Sequence, residues 1–242
     1  MTDGTSIEPV AVDCPICKDA GWIRMDAPVG NPNFGRIFEC ECQTERRLSR
    51  QAEDLRRISN LDAFTDRDFS TFEAKLRGVN EAYAAATAYA QNPHGWLFLH
   101  GNCGVGKTHL ATSIANYAME NQKMSVLFAV VPDLLDHLRA AFHPDNGVAY
   151  DDRFAAIRNA QLLVLDDLGT ENTTPWAREK LYQIFNHRYN EQLPTVVTSN
   201  QDFKKIDERV LSRLRDTRLS TYVFMDAADY RLGRVTRGRG GF

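Results

Sequence analysis

Gly101-Asn102-Cys103-Gly104-Val105-Gly106-Lys107-Thr108 satisfies the spacing G-x-x-x-x-G-K-[ST], and its setting decides the fold. A strand-sized apolar run, Trp96–His100, leads into it, and a helix-forming stretch, Thr108–Asn121, leads out. Strand, glycine-rich turn and helix are what an anion cradle needs. The glycines let the chain curl so that backbone N–H groups point inward, and the helix start adds its positive dipole end. Lys107 is placed to reach the β- and γ-phosphates of a nucleoside triphosphate, and the Thr108 hydroxyl to ligate Mg²⁺. Cys103 occupies a variable position of the loop and is read as filler.

Further apolar runs follow at Ser125–Val131, Leu162–Leu165, Thr195–Thr198 and Tyr222–Met225, separated by helical stretches that include Asp133–Phe142 and Trp176–Asn190. Near-continuous apolar runs mark strands covered on both faces, and the helices are the crossovers that parallel strands require. The expected class is α/β, with about five parallel strands flanked by helices. Two strand ends carry chemistry. Leu162–Leu165 closes on Asp166-Asp167, two acids suited to a metal and water site, Asp166 holding Mg²⁺ and Asp167 polarising the attacking water. Thr195–Ser199 closes on Asn200, read as a sensor that positions water against the γ-phosphate.

Composition sets the outer limits. The 242 residues are 43% hydrophobic and 25% charged with a net charge of −3, ordinary globular material that excludes collagenous, disordered and disulfide-scaffold classes. No run approaches a membrane span, and Met1-Thr2-Asp3-Gly4 opens no secretory signal, so a cytoplasmic chain is expected. A mildly acidic protein is no general polyanion binder, and nucleic-acid contact needs a local patch. Arg231, Arg234, Arg237 and Arg239 offer one, with a solvated tail as the plainer reading.

Four of the five cysteines precede residue 43. Cys14-Pro15-Ile16-Cys17 and Cys40-Glu41-Cys42 make a C-x-x-C and C-x-C pair around a turn-rich segment without histidine, a full tetrahedral Zn²⁺ set in a reducing compartment. A redox pair, unpaired structural thiols and an iron–sulfur cluster are the other chemistries open to them. Thr44 to Ser59 is charge-dense, with Leu48, Ala52, Leu55 and Ile58 at helical steps, and reads as a connector helix; Asn60 to Gly78 reads as an ordered linker.

In this order and spacing the motifs resemble the AAA+ ATPase core, and more closely the DnaC/DnaI-type helicase loaders and the IstB-type transposition helper ATPases. The resemblance spans roughly residues 60–235 and is narrowed by Asp166-Asp167-Leu168-Gly169-Thr170-Glu171, Glu208-Arg209-Val210-Leu211-Ser212-Arg213-Leu214 and Asp229-Tyr230-Arg231-Leu232-Gly233-Arg234-Val235. It implies that Arg213 is an arginine finger reaching a neighbouring subunit's ATP, with Arg209 and Arg215 close enough to compete for the role, and that Arg231 senses nucleotide in its own chain. Asp167 stands where most AAA+ enzymes have Glu, and the short stretch after Asn200 implies a reduced helical lid, so that closure relies on neighbours. The family further implies an ATP-bridged oligomer that loads a replicative DNA helicase onto single-stranded DNA. Phe142, Tyr150, Arg153 and Arg158 are possible strand contacts, while His137 and His143 read as surface or packing residues. A transposition helper acting with a transposase is the alternative, and an inactive nucleotide-binding core a third. The expected organisation is a zinc module over 1–45 that binds the helicase, a connector and linker over 46–78, and an ATPase domain over 79–242.

Overall fold

The computed structural model describes residues 13–44, 46, 58–64, 66–141, 147–172 and 174–232. Within them the chain forms two compact units, one ending by residue 53 and one beginning at residue 54. Most of the expected connector helix lies outside the described residues, as do Phe142, His143 and the tail arginines Arg234, Arg237 and Arg239.

The small unit is a hairpin of β1 (Trp22–Arg24) and β2 (Ile37–Glu39), paired antiparallel with Ile23 opposite Phe38. Its interior consists of Cys14, Cys17 and Cys40, with Ile23 and Cys42 packed against them. An apolar interior this small cannot carry a fold by hydrophobic burial alone.

The large unit begins with a 3₁₀ turn over Leu61–Phe64 and then alternates. In chain order come α1 (Asn80–Gln91), β3 (Trp96–Gly101), α2 (Lys107–Gln122), β4 (Val126–Val130), α3 (Val131–Ala141), α4 (Gly147–Asn159), β5 (Leu162–Asp166), α5 (Pro175–Asn190) and β6 (Thr195–Ser199). A 3₁₀ turn at Phe203–Lys205, α6 (Glu208–Leu214) and β7 (Ser220–Met225) complete it. The five strands β3 to β7 pair in the order β4-β5-β6-β3-β7, every pair parallel.

Because successive strand residues face opposite sides, each apolar run feeds two cores. Trp96, Phe98, Leu163, Leu165 and Val197 pack under α3 to α6, while Leu97, Leu99, Leu162, Val164 and Val196 pack under α1 and α2. That is why β3 and β5 read as unbroken apolar stretches. After β3 the chain passes to the far edge and works back, so β6 returns to lie beside β3. The strand order reverses there, and the crevice beyond the carboxyl ends at such a reversal is where open α/β sheets take their ligands.

Two expectations change. Residues 58–78 are part of the large unit rather than a linker: Ile58 and Leu61 are buried in its cores, and Phe64, Phe69 and Phe72 pack against them. Tyr150 is buried on α4 and stacked on Phe154 with Lys180 over its ring, so it presents no face to a nucleotide base, and Arg153 and Arg158 are half-buried. His137 is exposed on α3, as a surface residue should be.

Arg188 ties the α4, α5 and β6 ends together. Its side chain is fully buried with no carboxylate partner among the described residues, and burial draws its pKa down to about 9, leaving it charged at neutral pH. The guanidinium donates from Nη1 to the Arg158 (2.9 Å) and Ala160 (2.8 Å) carbonyls, from Nη2 to the Pro194 carbonyl (2.5 Å) and from Nε to Thr195 Oγ1 (2.9 Å). Replacing it strands several buried acceptors, each worth about 1–3 kcal/mol when unsatisfied. Arg188→Met should therefore lower unfolding free energy by roughly 3 kcal/mol or more in urea titrations; a change below roughly 1 kcal/mol would contradict the account.

Candidate nucleotide site

The carboxyl ends of β3, β5, β6 and β7 surround a cavity of about 670 Å³, within the range of small-molecule sites. Its floor is the loop Cys103–Thr108. Gly104 (φ +75°) and Gly106 (φ +99°) both adopt left-handed backbone, and Cβ atoms there would run into the Asp229 carboxylate and the Phe72 ring. Only glycine gives the loop its curl at these points.

Lys107 starts α2 and is buried. Its Nζ donates to the carbonyls of Gly101 (2.9 Å) and Asn102 (2.7 Å), the first two residues of the loop. Burial pulls the ammonium below its usual range, opposed by the charges of Asp167, Cys103 and Asp166. An anion in the cradle would meet a cation whose hydrogen bonds are local and readily exchanged.

Asp166, the last residue of β5, is buried and accepts from three directions: Thr108 Oγ1 at 3.1 and 2.9 Å on its two oxygens, and Thr198 Oγ1 at 2.6 Å. Burial raises its pKa above the ordinary carboxylate value, and the neighbouring Asp167 adds to the shift. Carboxylate and hydroxyl oxygens facing one another form the hard-oxygen set that Mg²⁺ prefers. Asp167 sits in left-handed backbone (φ +58°), its N–H held by Thr198 Oγ1 (3.0 Å), and lines the cavity. Asn200 also lines it, donating from Nδ2 to Cys103 Sγ (3.0 Å) and accepting from Gln201 Nε2 (2.7 Å). Cys103 is thus a cavity residue that positions the Asn200 amide, more than filler.

Arg231 reaches the cavity from the segment after β7, next to Tyr230, whose N–H donates to the Gly104 carbonyl (3.0 Å). Arg213 does not line it. From α6 its Nη1 donates to the Arg209 carbonyl (2.8 Å) and its Nη2 to Asn186 Oδ1 (2.6 Å), with the guanidinium over Tyr182 and Tyr189. Arg209 pairs with Asp207 and also covers Tyr182, and Arg215 lies over Phe203. The second wall is one that sequence patterning missed: Asp66, Arg67, Thr71, Phe72, Glu73, Leu76 and Val79, with His109, Ala227 and Tyr230. The cluster of Phe64, Phe69 and Phe72 was the available signal, since aromatic residues so dense belong in a core or against a ligand.

In the small unit the sulfurs of Cys14, Cys17, Cys40 and Cys42 lie within 4.8 Å of one another, with Cys14–Cys40 at 3.8 Å and Cys17–Cys42 at 3.4 Å. A tetrahedron with Zn–S bonds of about 2.3 Å has edges of about 3.8 Å, so the four thiols fit a closed Cys₄ site. Burial opposes ionisation of Cys17, yet the Gly21 N–H and the neighbouring thiols bring its pKa down to about 7, while those same thiols push Cys42 up.

The cradle makes Lys107 the first side chain to test. Hydrogen bonds from a charged donor are worth about 1.5–3 kcal/mol. Lys107→Ala should raise the Kd for ATP by roughly 10- to 100-fold in titration calorimetry. Unchanged affinity would mean that the cavity does not hold the triphosphate.

The family of IstB-like ATP binding proteins matches residues 37–226. The replicative helicase loader DnaC of Buchnera aphidicola subsp. Baizongia pistaciae is 26% identical over 192 residues, covering 76% of this chain and 78% of that protein. The chromosomal replication initiator protein DnaA of Pseudothermotoga lettingae is 30% identical over 195 residues, 77% of this chain but only 44% of the initiator's length. The crystal structure of the DnaC helicase loader superposes with a TM-score of 0.56 at 24% identity, covering 68% of this chain and 99% of that one, and shares its fold. No helix among the described residues is long and apolar enough to cross a membrane. The chain belongs to the IstB-like ATP binding proteins and, with them, is a P-loop ATPase of the AAA+ type.

Proposed function

We propose that this protein is an ATP-dependent loader that delivers a replicative DNA helicase onto single-stranded DNA in the cytoplasm. The observation that carries the reading is the similarity to the loader DnaC over 78% of that protein's length, joined to an ATPase cavity with its acidic and basic groups in place. Lys107 binds the β- and γ-phosphates, and the backbone of Gly101 to Thr108 cradles them. Thr108 and Asp166 hold Mg²⁺, which neutralises charge on the phosphate oxygens. Asp167 polarises the attacking water, Asn200 orients it against the γ-phosphate, and Arg231 senses the nucleotide from its own chain.

Arg213 is the group supplied to a neighbouring copy in an ATP-bridged oligomer. For that it exchanges its bonds to Asn186 and the Arg209 carbonyl for phosphate oxygens. An arginine so placed contributes about 10³–10⁵ in rate. The nucleotide shifts the assembly only because the triphosphate contacts Lys107, Asn200 and a neighbour's Arg213 more fully than the diphosphate does.

The Cys₄ cluster holds structural Zn²⁺, and the small unit it staples is the part that binds the helicase. Native protein should carry about one zinc per chain by mass spectrometry. A chelator should unfold residues 10–45 while the α/β unit keeps its cooperative melting transition. Absence of stoichiometric zinc would end this assignment.

The family match itself favours one other reading, an IstB-type transposition helper that acts with a transposase on target DNA. Pull-down with a purified replicative helicase and with a cognate transposase, with and without ATP, separates the two. Retention of the helicase in the presence of ATP is the expected result. Capture of the transposase alone would replace the loader reading.

A further inference from the structure

Glu73 poses an electrostatic question. The cavity that receives a triphosphate needs positive charge, yet this carboxylate lines its second wall. Its described hydrogen bond is to a neutral hydroxyl, although Arg67, Lys107 and Arg231 line the same cavity. Glu73 Oε1 accepts from the Tyr230 hydroxyl at 2.8 Å, and the two residues come from segments far apart in the chain that meet on this wall.

The segments that carry the two partners each touch the phosphate-binding element. On the Glu73 side, His109 follows Thr108 on α2 and donates from Nε2 to the Asp68 carbonyl (2.9 Å), with Thr71 Oγ1 3.2 Å from the same nitrogen. The Phe72 ring then packs edge-on to His109, with centroids 5.2 Å apart. On the other side, the Tyr230 N–H is bonded to the Gly104 carbonyl at 3.0 Å. The carboxylate–hydroxyl pair thus lies beside the cradle, exposed on the Glu73 side and half-buried on the Tyr230 side. The parts of a nucleotide differ in what such a pair can accept. Phosphates are repelled by the carboxylate, and a base, whose exocyclic amine can also donate to one, lies farther along the nucleotide from the phosphate cradle than the sugar does, whereas Tyr230 is bonded to the cradle itself. The ribose offers two neutral hydroxyls that donate to a carboxylate and accept from a phenol, the recognition that acidic residues give ribose in other nucleotide folds.

We propose that Glu73 and Tyr230 form the ribose contact of the site, with Glu73 accepting from the sugar hydroxyls and Tyr230 turning its one proton from Glu73 to a sugar oxygen, so that this ATPase discriminates ribonucleotides from deoxyribonucleotides. The proposal rests on the nucleotide reading of the cavity and names the part of the ligand that its second wall recognises.

The test is titration calorimetry of the full chain with Mg²⁺ and ADP, 2′-deoxy-ADP, 3′-deoxy-ADP or IDP, the diphosphates avoiding turnover. Wild-type protein should bind ADP roughly tenfold or more tightly than at least one deoxy analogue, the worth of one hydrogen bond to a charged group. Glu73→Ala should erase that gap by weakening ADP, and Tyr230→Phe should narrow it; both should leave the ratio of ADP to IDP unchanged. Equal binding of ribo- and deoxyribonucleotides by the wild type, or a gap that survives Glu73→Ala, overturns the proposal. So does an effect of Glu73→Ala on the ADP-to-IDP ratio alone, which would move the residue to base recognition. If none of the diphosphates binds, the nucleotide reading itself falls, and the proposal falls with it.

Discussion

The convergence of two threonine hydroxyls on the buried carboxylate of Asp166 is the interaction on which the site depends. Thr108 comes from the first turn of α2, Thr198 from β6, and Asp166 ends β5, so three elements meet at one pair of oxygens. A carboxylate removed from water is costly unless its lone pairs are filled. Here they are filled by groups that can also ligate a cation, which keeps the charge tolerable without a bound ion. Thr198 extends the arrangement by accepting the Asp167 N–H, so the second acid is oriented by the same hydroxyl that supports the first. The placement of these acids and hydroxyls at the rim therefore follows from strand register, and the register follows from the paired apolar runs of β5 and β6.

The two units solve different physical problems. The larger one buries apolar side chains on both faces of a parallel sheet and so can afford polar strand ends at its rim. The smaller one has three buried cysteines and few other apolar contacts, and exposes Trp22, Ile37 and Phe38 on its hairpin. Burial on that scale supplies little order, and four sulfurs within 4.8 Å of one another are spaced so that a metal ion could cross-link the chain there.

What was legible in the sequence was whatever is chained to a strand end. The loop after β3, the acids after β5 and Asn200 after β6 could be assigned because period and motif coincide there. The second wall was not, since residues 66–79 have neither helical nor strand period and gain their role only by folding across α2, through contacts such as Phe72 against Gly106 that are distant in the chain. Helix α4 was hidden for a related reason: the exposed Asp151, Asp152 and half-buried Arg153 break up the apolar run in the linear sequence, and Tyr150 and Phe154 look like exposed aromatics until packing buries them. Arg213 marks another boundary. Its place in Ser-Arg-Leu was readable, but its hydrogen bond to Asn186 depends on α5 lying beside α6, which no local pattern encodes.

The seat of Arg188 carries a lesson about substitution. Four acceptors from two chain segments are arranged around a planar fork, each within hydrogen-bond reach of a different N–H direction. Lysine brings the same charge to a single tip and cannot address a fan of oxygens at once. Mutational tolerance at this position is thus governed by shape, and exchanges that a charge-based similarity table scores as mild would be among the most disruptive in the protein.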